Sequence, residues 1–163
     1  EEAEDIYRQV LDQSRSIEGG DGPLALKTAA GLAELRLRQG RLADADALIS
    51  GVLESVTDVV GATHPDRLGS MTILARLRNA QGIHAEAVEL SDRVIALADS
   101  TPAFDPAHPL VLEAQMEKAL ALRVLGRLDE AKTLAAAIYE GRLERLGAEH
   151  PLTLQAQALL GTS

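Results

Sequence analysis

Four of the six prolines, Pro23, Pro65, Pro109 and Pro151, stand 42, 44 and 42 residues apart. Other positions keep the same register. Each of the first three is followed 17 residues later by a glycine, Gly40, Gly82 or Gly126. Seven residues before each glycine comes Ala33, Ala75 or Ala119, and eight after it Leu48, Leu90 or Leu134. Between them lies an acid followed by alanine: Asp44-Ala45, Glu86-Ala87 and Glu130-Ala131. A chain that repeats itself at such a period is a stack of one supersecondary unit, not a single irregular globule. The two extra residues of the 44-residue step fall in "STPAFDPAHP", a turn-rich segment where an insertion costs little.

Each unit reads as two helices. Proline is favoured in the first helical turn, and glycine ends a helix. From Pro23 to Gln39 the only breaker is Gly31, and Leu24, Leu32 and Leu35 recur at helical spacing. After Gly40 a second helix carries Leu42, Ala45, Leu48, Ile49, Val52, Leu53 and Val56, a broad apolar stripe that Gly61 stops. The N-terminus keeps the register, since Ile6, Val10 and Leu11 lie 42 residues before Leu48, Val52 and Leu53. The chain therefore opens on the second helix of a repeat and closes on a first helix, "PLTLQAQALLG".

The expected organisation is a single array: 1–21 as a lone second helix, repeats at 22–63, 64–107 and 108–149, and 150–163 as a lone first helix. The fold class is all-α, an α-solenoid of antiparallel helix pairs with about seven helices, because one such pair cannot bury its own apolar face and stacked neighbours can. Aromatic residues are 2% of the chain, so Leu, Ala, Ile and Val must build the core.

This pattern resembles the tetratricopeptide repeat in its 42-residue, kinesin-light-chain-like form, which also occurs in many bacterial regulators. The residues that carry the resemblance are the small residue of the first helix (Ala33, Ala75, Ala119), the glycine between helices, the acid–alanine pair, and the junction "LGAEHPLTL" from Leu146 to Leu154. The resemblance implies a right-handed superhelix whose first helices line a concave groove for a protein or peptide. Departures are visible. Ala29, Met71 and Gln115 stand where a large aromatic is usual, and Arg36, Arg78 and Leu122 where a tyrosine is. Gly31, Ile73 and Glu117 occupy the place of the asparagines that hold a peptide backbone. Lys118 replaces the leucines at 32 and 74, so the third unit is expected to pack through Leu112, Met116, Ala119 and Leu120.

Charge is sorted between the helices. First helices (23–39, 65–81, 109–125) hold eight basic and four acidic residues, and second helices (1–18, 41–60, 83–100, 127–146) hold eight basic and eighteen acidic. A net charge of −9 argues against non-specific nucleic-acid binding, which needs a basic footprint, but it hides a basic inner wall. By the resemblance the groove positions are Lys27, Glu34 and Arg38, then Thr72, Arg76 and Asn79, then Glu113, Met116, Leu120 and Arg123. Arginine suits a bidentate grip on carboxylate, so the partner expected there is an acidic or C-terminal-carboxylate peptide. The plainer alternative is solvated helix-surface charge paired along or between helices.

Three of the four histidines, His64, His108 and His150, precede a repeat proline. Packed helices stand about 8–10 Å apart, so histidines one repeat apart cannot converge on one ion at the ~2.0–2.1 Å that ligation needs. They read as helix-entry residues. Asp44, Asp46, Asp129 and Glu130 sit where a helix dipole favours negative charge. Cysteine is absent, and no phosphate-cradling loop or serine nucleophile context appears. The expectation is a non-catalytic interaction scaffold with no cofactor or metal, no membrane span and no nucleic-acid partner, placed in the cytoplasm. Apolar residues at both ends (Ile6, Val10, Leu152, Leu154) leave two further readings: a regulatory or sensor segment of a larger bacterial signalling protein, a kinase or a STAND-type ATPase, and self-assembly or continuation of a longer array through the terminal helices.

Overall fold

The computed structural model describes residues 2–161. Among them are eight helices: α1 (Glu2–Glu18), α2 (Pro23–Arg38), α3 (Leu42–Val60), α4 (Pro65–Ala80), α5 (His84–Asp99), α6 (Pro109–Val124), α7 (Leu128–Leu146) and α8 (Pro151–Gly161). A lone helix, three pairs and a closing helix add to eight among the described residues, in keeping with the expected array of about seven. Each helix packs on the next, and α4 also touches α2 and, more extensively, α6. The result is an α-solenoid. One step is looser: α6 and α8 are not in extended contact.

The turns inside the pairs repeat one another closely. Gly40, Gly82 and Gly126 adopt φ of +74°, +80° and +78°, a left-handed backbone that glycine takes without a Cβ penalty. The glycine N–H donates to the carbonyl three residues back (Leu37, Asn79, Arg123), and the next N–H donates to the carbonyl five back (Arg36, Arg78, Leu122). Two otherwise orphaned carbonyls of each first helix are thereby satisfied.

The helix starts explain the histidines. Nδ1 of His64, His108 and His150 accepts from the backbone N–H two residues on, at 3.2, 3.3 and 3.2 Å. Each imidazole is an N-cap, and the proline between cap and donor has no N–H to satisfy. Gly22 holds the slot in the first unit, and there the cap comes from outside the helix: the Glu18 carboxylate of α1 accepts from Leu24 and Ala25 N–H at 3.1 and 3.0 Å.

Small residues set the packing distance. Ala33, Ala75 and Ala119 on the first helices and Ala45, Ala87 and Ala131 on the second are all buried, so the two backbones of a pair approach closely. Ile49, Val52 and Val56, then Val94 and Ala98, then Ala135 and Ile138 extend the core along the second helices. In the third unit Leu112, Met116 and Ala119 pack with Leu120 as expected, and Lys118 turns aside to Asp92 of α5 at 2.6 Å.

One core slot alternates between ionic and apolar filling. Arg36 of α2 is buried and meets Glu4 of α1 through two hydrogen bonds. One period on, Arg78 of α4 meets Asp46 of α3 at 2.9 Å and Glu86 of α5 at 2.9 Å. In the third unit the same two positions are Leu122 and Val88, buried in one apolar cluster.

Candidate binding groove

A hollow of about 480 Å³ opens between the first helices and α8. Its lining is Glu34 and Arg38 from α2, Arg76 from α4, Glu113, Met116 and Glu117 from α6, Arg142 from α7, and Leu152 and Gln155 from α8. Three arginines thus face three glutamates.

Arg76 is the hub of this charge set. Its Nε donates to Glu117 Oε1 at 2.7 Å, its Nη1 to Glu34 Oε1 at 3.0 Å, and its Nη2 stands 4.0 Å from Glu113 Oε2. Burial pulls the Arg76 pKa down, but Glu117, Glu34 and Glu113 together raise it above the ordinary value. Glu34 is shared, since Arg38 Nη2 also donates to its Oε1, at 2.7 Å. Asn79 Nδ2 donates to the backbone oxygen and to Oε2 of Glu117, at 3.0 and 3.1 Å, and its Oδ1 lies 3.2 Å from His84 Nδ1.

Arg142 differs from the other buried arginines. Its Nη1 donates to the Leu152 carbonyl at 2.8 Å and stands 3.5 Å from Gln155 Oε1. No carboxylate among the described residues reaches it within 4.0 Å. Burial lowers its pKa, and the more distant Glu113 offsets part of that. Among the described residues no three His, Asp or Glu side chains gather closely enough to hold a metal ion, and no helix is long and apolar enough to cross a membrane.

The family model that matches residues 25–100 is the tetratricopeptide repeat. The repeats of a Podospora anserina protein assigned as a kinesin light chain have a solved structure that superposes with a TM-score of 0.76 at 31% identity, over 86% of this chain and 65% of that one. A point variant of the same Podospora repeats gives 0.74 at 31% identity, over 83% and 63%. Residues 25–100 of this chain are tetratricopeptide repeats, similar to repeats of the kinesin-light-chain-like kind. BtubC (BKLC) of P. vanneervenii shares the fold, with a TM-score of 0.78 at 16% identity over 97% of this chain and 63% of that one. The chain therefore spans a little under two thirds of each of these solved relatives. No curated protein matches it.

Tetratricopeptide repeats are in general protein-interaction scaffolds. Within this tetratricopeptide array the hollow brings together five of the ten residues expected in the groove: Glu34, Arg38, Arg76, Glu113 and Met116. Asn79 stands beside them, bonded to Glu117 as above. Lys27 is exposed at the far end of α2, 3.7 Å from Asp66. Thr72 is buried with its hydroxyl donating to Leu68 O of its own helix at 3.0 Å. Leu120 packs into the C-terminal core, and Arg123 is exposed at the end of α6. Arg142, Leu152 and Gln155 were not expected as groove residues, and Glu117 was expected only as the residue at a peptide-holding asparagine's place. For Arg142 a signal existed. Counted from the inter-helix glycines its slot is that of Val56 and Ala98, a core position of the second helix.

Proposed function

We propose that this array holds an extended peptide segment of a protein partner along the hollow between α2, α4, α6 and α8, and that the segment carries acidic side chains. The observation that carries this reading is the hollow itself. It offers about 480 Å³ with charged walls and apolar contact at Met116 and Leu152, the mixture that fixes a peptide's orientation while burying part of it. Arg38 and Arg76 already hold glutamates, so an acidic ligand would exchange carboxylates with Glu34 or Glu113, and the gain from each exchange is small. The preference would rest on several contacts, not one.

The test is fluorescence anisotropy with labelled acidic, neutral and basic peptides of one length, at low and high salt. Tighter binding of the acidic peptide, weakened by salt, is expected. Equal binding of all three, or tightest binding of the basic one, would remove the reading.

A second reading, self-association through the terminal helices, is favoured by the exposure of Ile6 and Val10 at one end and Leu152 and Leu154 at the other. Light scattering decides it: a mass that stays monomeric at high concentration excludes it.

A further inference from the structure

We propose that Arg142 is a carboxylate-binding residue, the anchor for one acidic group of the ligand at the α6–α8 end of the hollow. The inference rests on the peptide-binding reading for its biological ligand, but not for the site itself.

The slot is the first observation. Arg142 lies 16 residues after Gly126; the residues 16 after Gly82 and Gly40 are Ala98 and Val56, and Ser14 falls in the same register on α1. All four are buried. Three units fill the slot with a small or apolar side chain, and one fills it with a guanidinium. A buried charge is costly unless it is paired.

The missing partner is the second. Arg36, Arg76 and Arg78 each have a carboxylate oxygen within 2.9 Å. Arg142 is 3% exposed and has a carbonyl and a distant amide instead. Only one of its three guanidinium nitrogens is engaged among the described residues, which leaves Nε and Nη2 for a planar, two-oxygen acceptor.

The third is access. Arg142 belongs to a second helix, whose side chains elsewhere do not line the hollow, yet it does. Among the described residues α6 and α8 are not in extended contact, and Arg142 lines the hollow together with Leu152 and Gln155 of α8. A guanidinium could also take a phosphate. Here Glu34, Glu113 and Glu117 line the same hollow, and their repulsion penalises a dianion more than a single carboxylate.

The experiment follows the arginine Nε–Hε signals of the intact ¹⁵N-labelled chain by NMR, with Arg142 assigned by the loss of its signal in R142K. The probes are the α-amides of N-acetylglutamate, with one carboxylate, and of N-acetylglutamine, with none, and inorganic phosphate. The Arg142 signal is expected to shift saturably with the glutamate amide and to stay fixed with the glutamine amide. A fixed Arg142 signal with the glutamate amide, or a response to phosphate at lower concentration, overturns the proposal. In parallel, R142Q is expected to weaken an acidic octapeptide about tenfold, the loss of one charge-assisted pair, while R93Q on the far face of α5 changes it less than about threefold. Equal affinity of R142Q and the parent also overturns it. Should R142Q fail to fold, judged by its circular dichroism, the titration of the unmodified chain still decides. The two readings fail separately. Peptide binding with a silent Arg142 removes this inference alone. An Arg142 response without any peptide binding removes the peptide reading alone.

Discussion

Arg36 reaches Glu4 through both terminal nitrogens, Nη1 to Oε2 at 2.5 Å and Nη2 to Oε1 at 2.6 Å. The same slot in the third unit holds Leu122 against Val88. The repeat therefore accepts two solutions at one position, an ion pair or an apolar pair. Removing Arg36 alone leaves Glu4 facing an apolar side chain, with only Arg8 at 2.9 Å and Arg41 at 3.6 Å to offset its charge, whereas replacing both partners leaves no charge in the slot. R36L alone should lower the melting temperature by roughly 5–10 °C. The double change R36L/E4V, which copies the third unit, should recover most of that loss. Thermal melts followed by circular dichroism of the three proteins check this. An R36L melt equal to the parent's would show that the pair contributes nothing.

Acid should weaken the array through the same pairs. The hydrogen bond from Arg36, opposed by burial, holds the Glu4 carboxyl below its ordinary 4.5, and the hydrogen bond from Arg78, likewise opposed by burial, holds Asp46 below 3.8. A carboxyl whose folded pKa is depressed contributes stability that is complete above the unfolded pKa. That contribution is lost as pH falls through the folded pKa. Unfolding by urea should thus give a flat stability near neutrality and a decline below about pH 4.5. The decline should be shallower in E4Q/D46N, which no longer has those two groups to protonate.

The histidine caps give a local prediction. H150A removes the acceptor for Leu152 N–H and should cost about 1 kcal/mol, whereas H150N, whose side-chain oxygen can take the same hydrogen bond, should cost much less. Amide hydrogen exchange in the first turn of α8 reads the effect locally. Equal exchange in both variants would remove the capping role.

Arg76 cannot serve as a simple probe of ligand binding, because three glutamates depend on it. R76Q should destabilise the chain by about 2 kcal/mol, since the nearly buried Glu117 loses its strongest partner. The double variant R76Q/E117Q should regain part of this. Urea denaturation of both proteins at low and high salt checks the prediction, and salt should lessen the penalty of R76Q by screening Glu34 from Glu113.

The fold was legible because its signals are local and repeated. Proline and glycine mark each helix end by backbone geometry, so the observed helices start at Pro23, Pro65, Pro109 and Pro151. The groove was only half legible. Helix faces can be read from register, but which carboxylate an arginine meets depends on residues about 40 positions away, as with Arg76 and both Glu34 and Glu117. Thr72 shows a second limit, since a small hydroxyl on a groove face can turn back to its own helix. Arg142 shows a third. Sorting charge by helix assigned the second helices to the outer wall, although Arg142 occupies the inward slot that Val56 and Ala98 fill in the other units.

The position of Arg76 also bears on how the array comes apart. In a solenoid whose units touch only their neighbours, each interface has its own free energy, and an end can fray while the middle holds. Here a single guanidinium closes the interface toward α2 with one edge and the interface toward α6 with the other. Opening either one loosens the side chain that secures the next. The pairs on either side of α4 are therefore expected to open together more than independent units would.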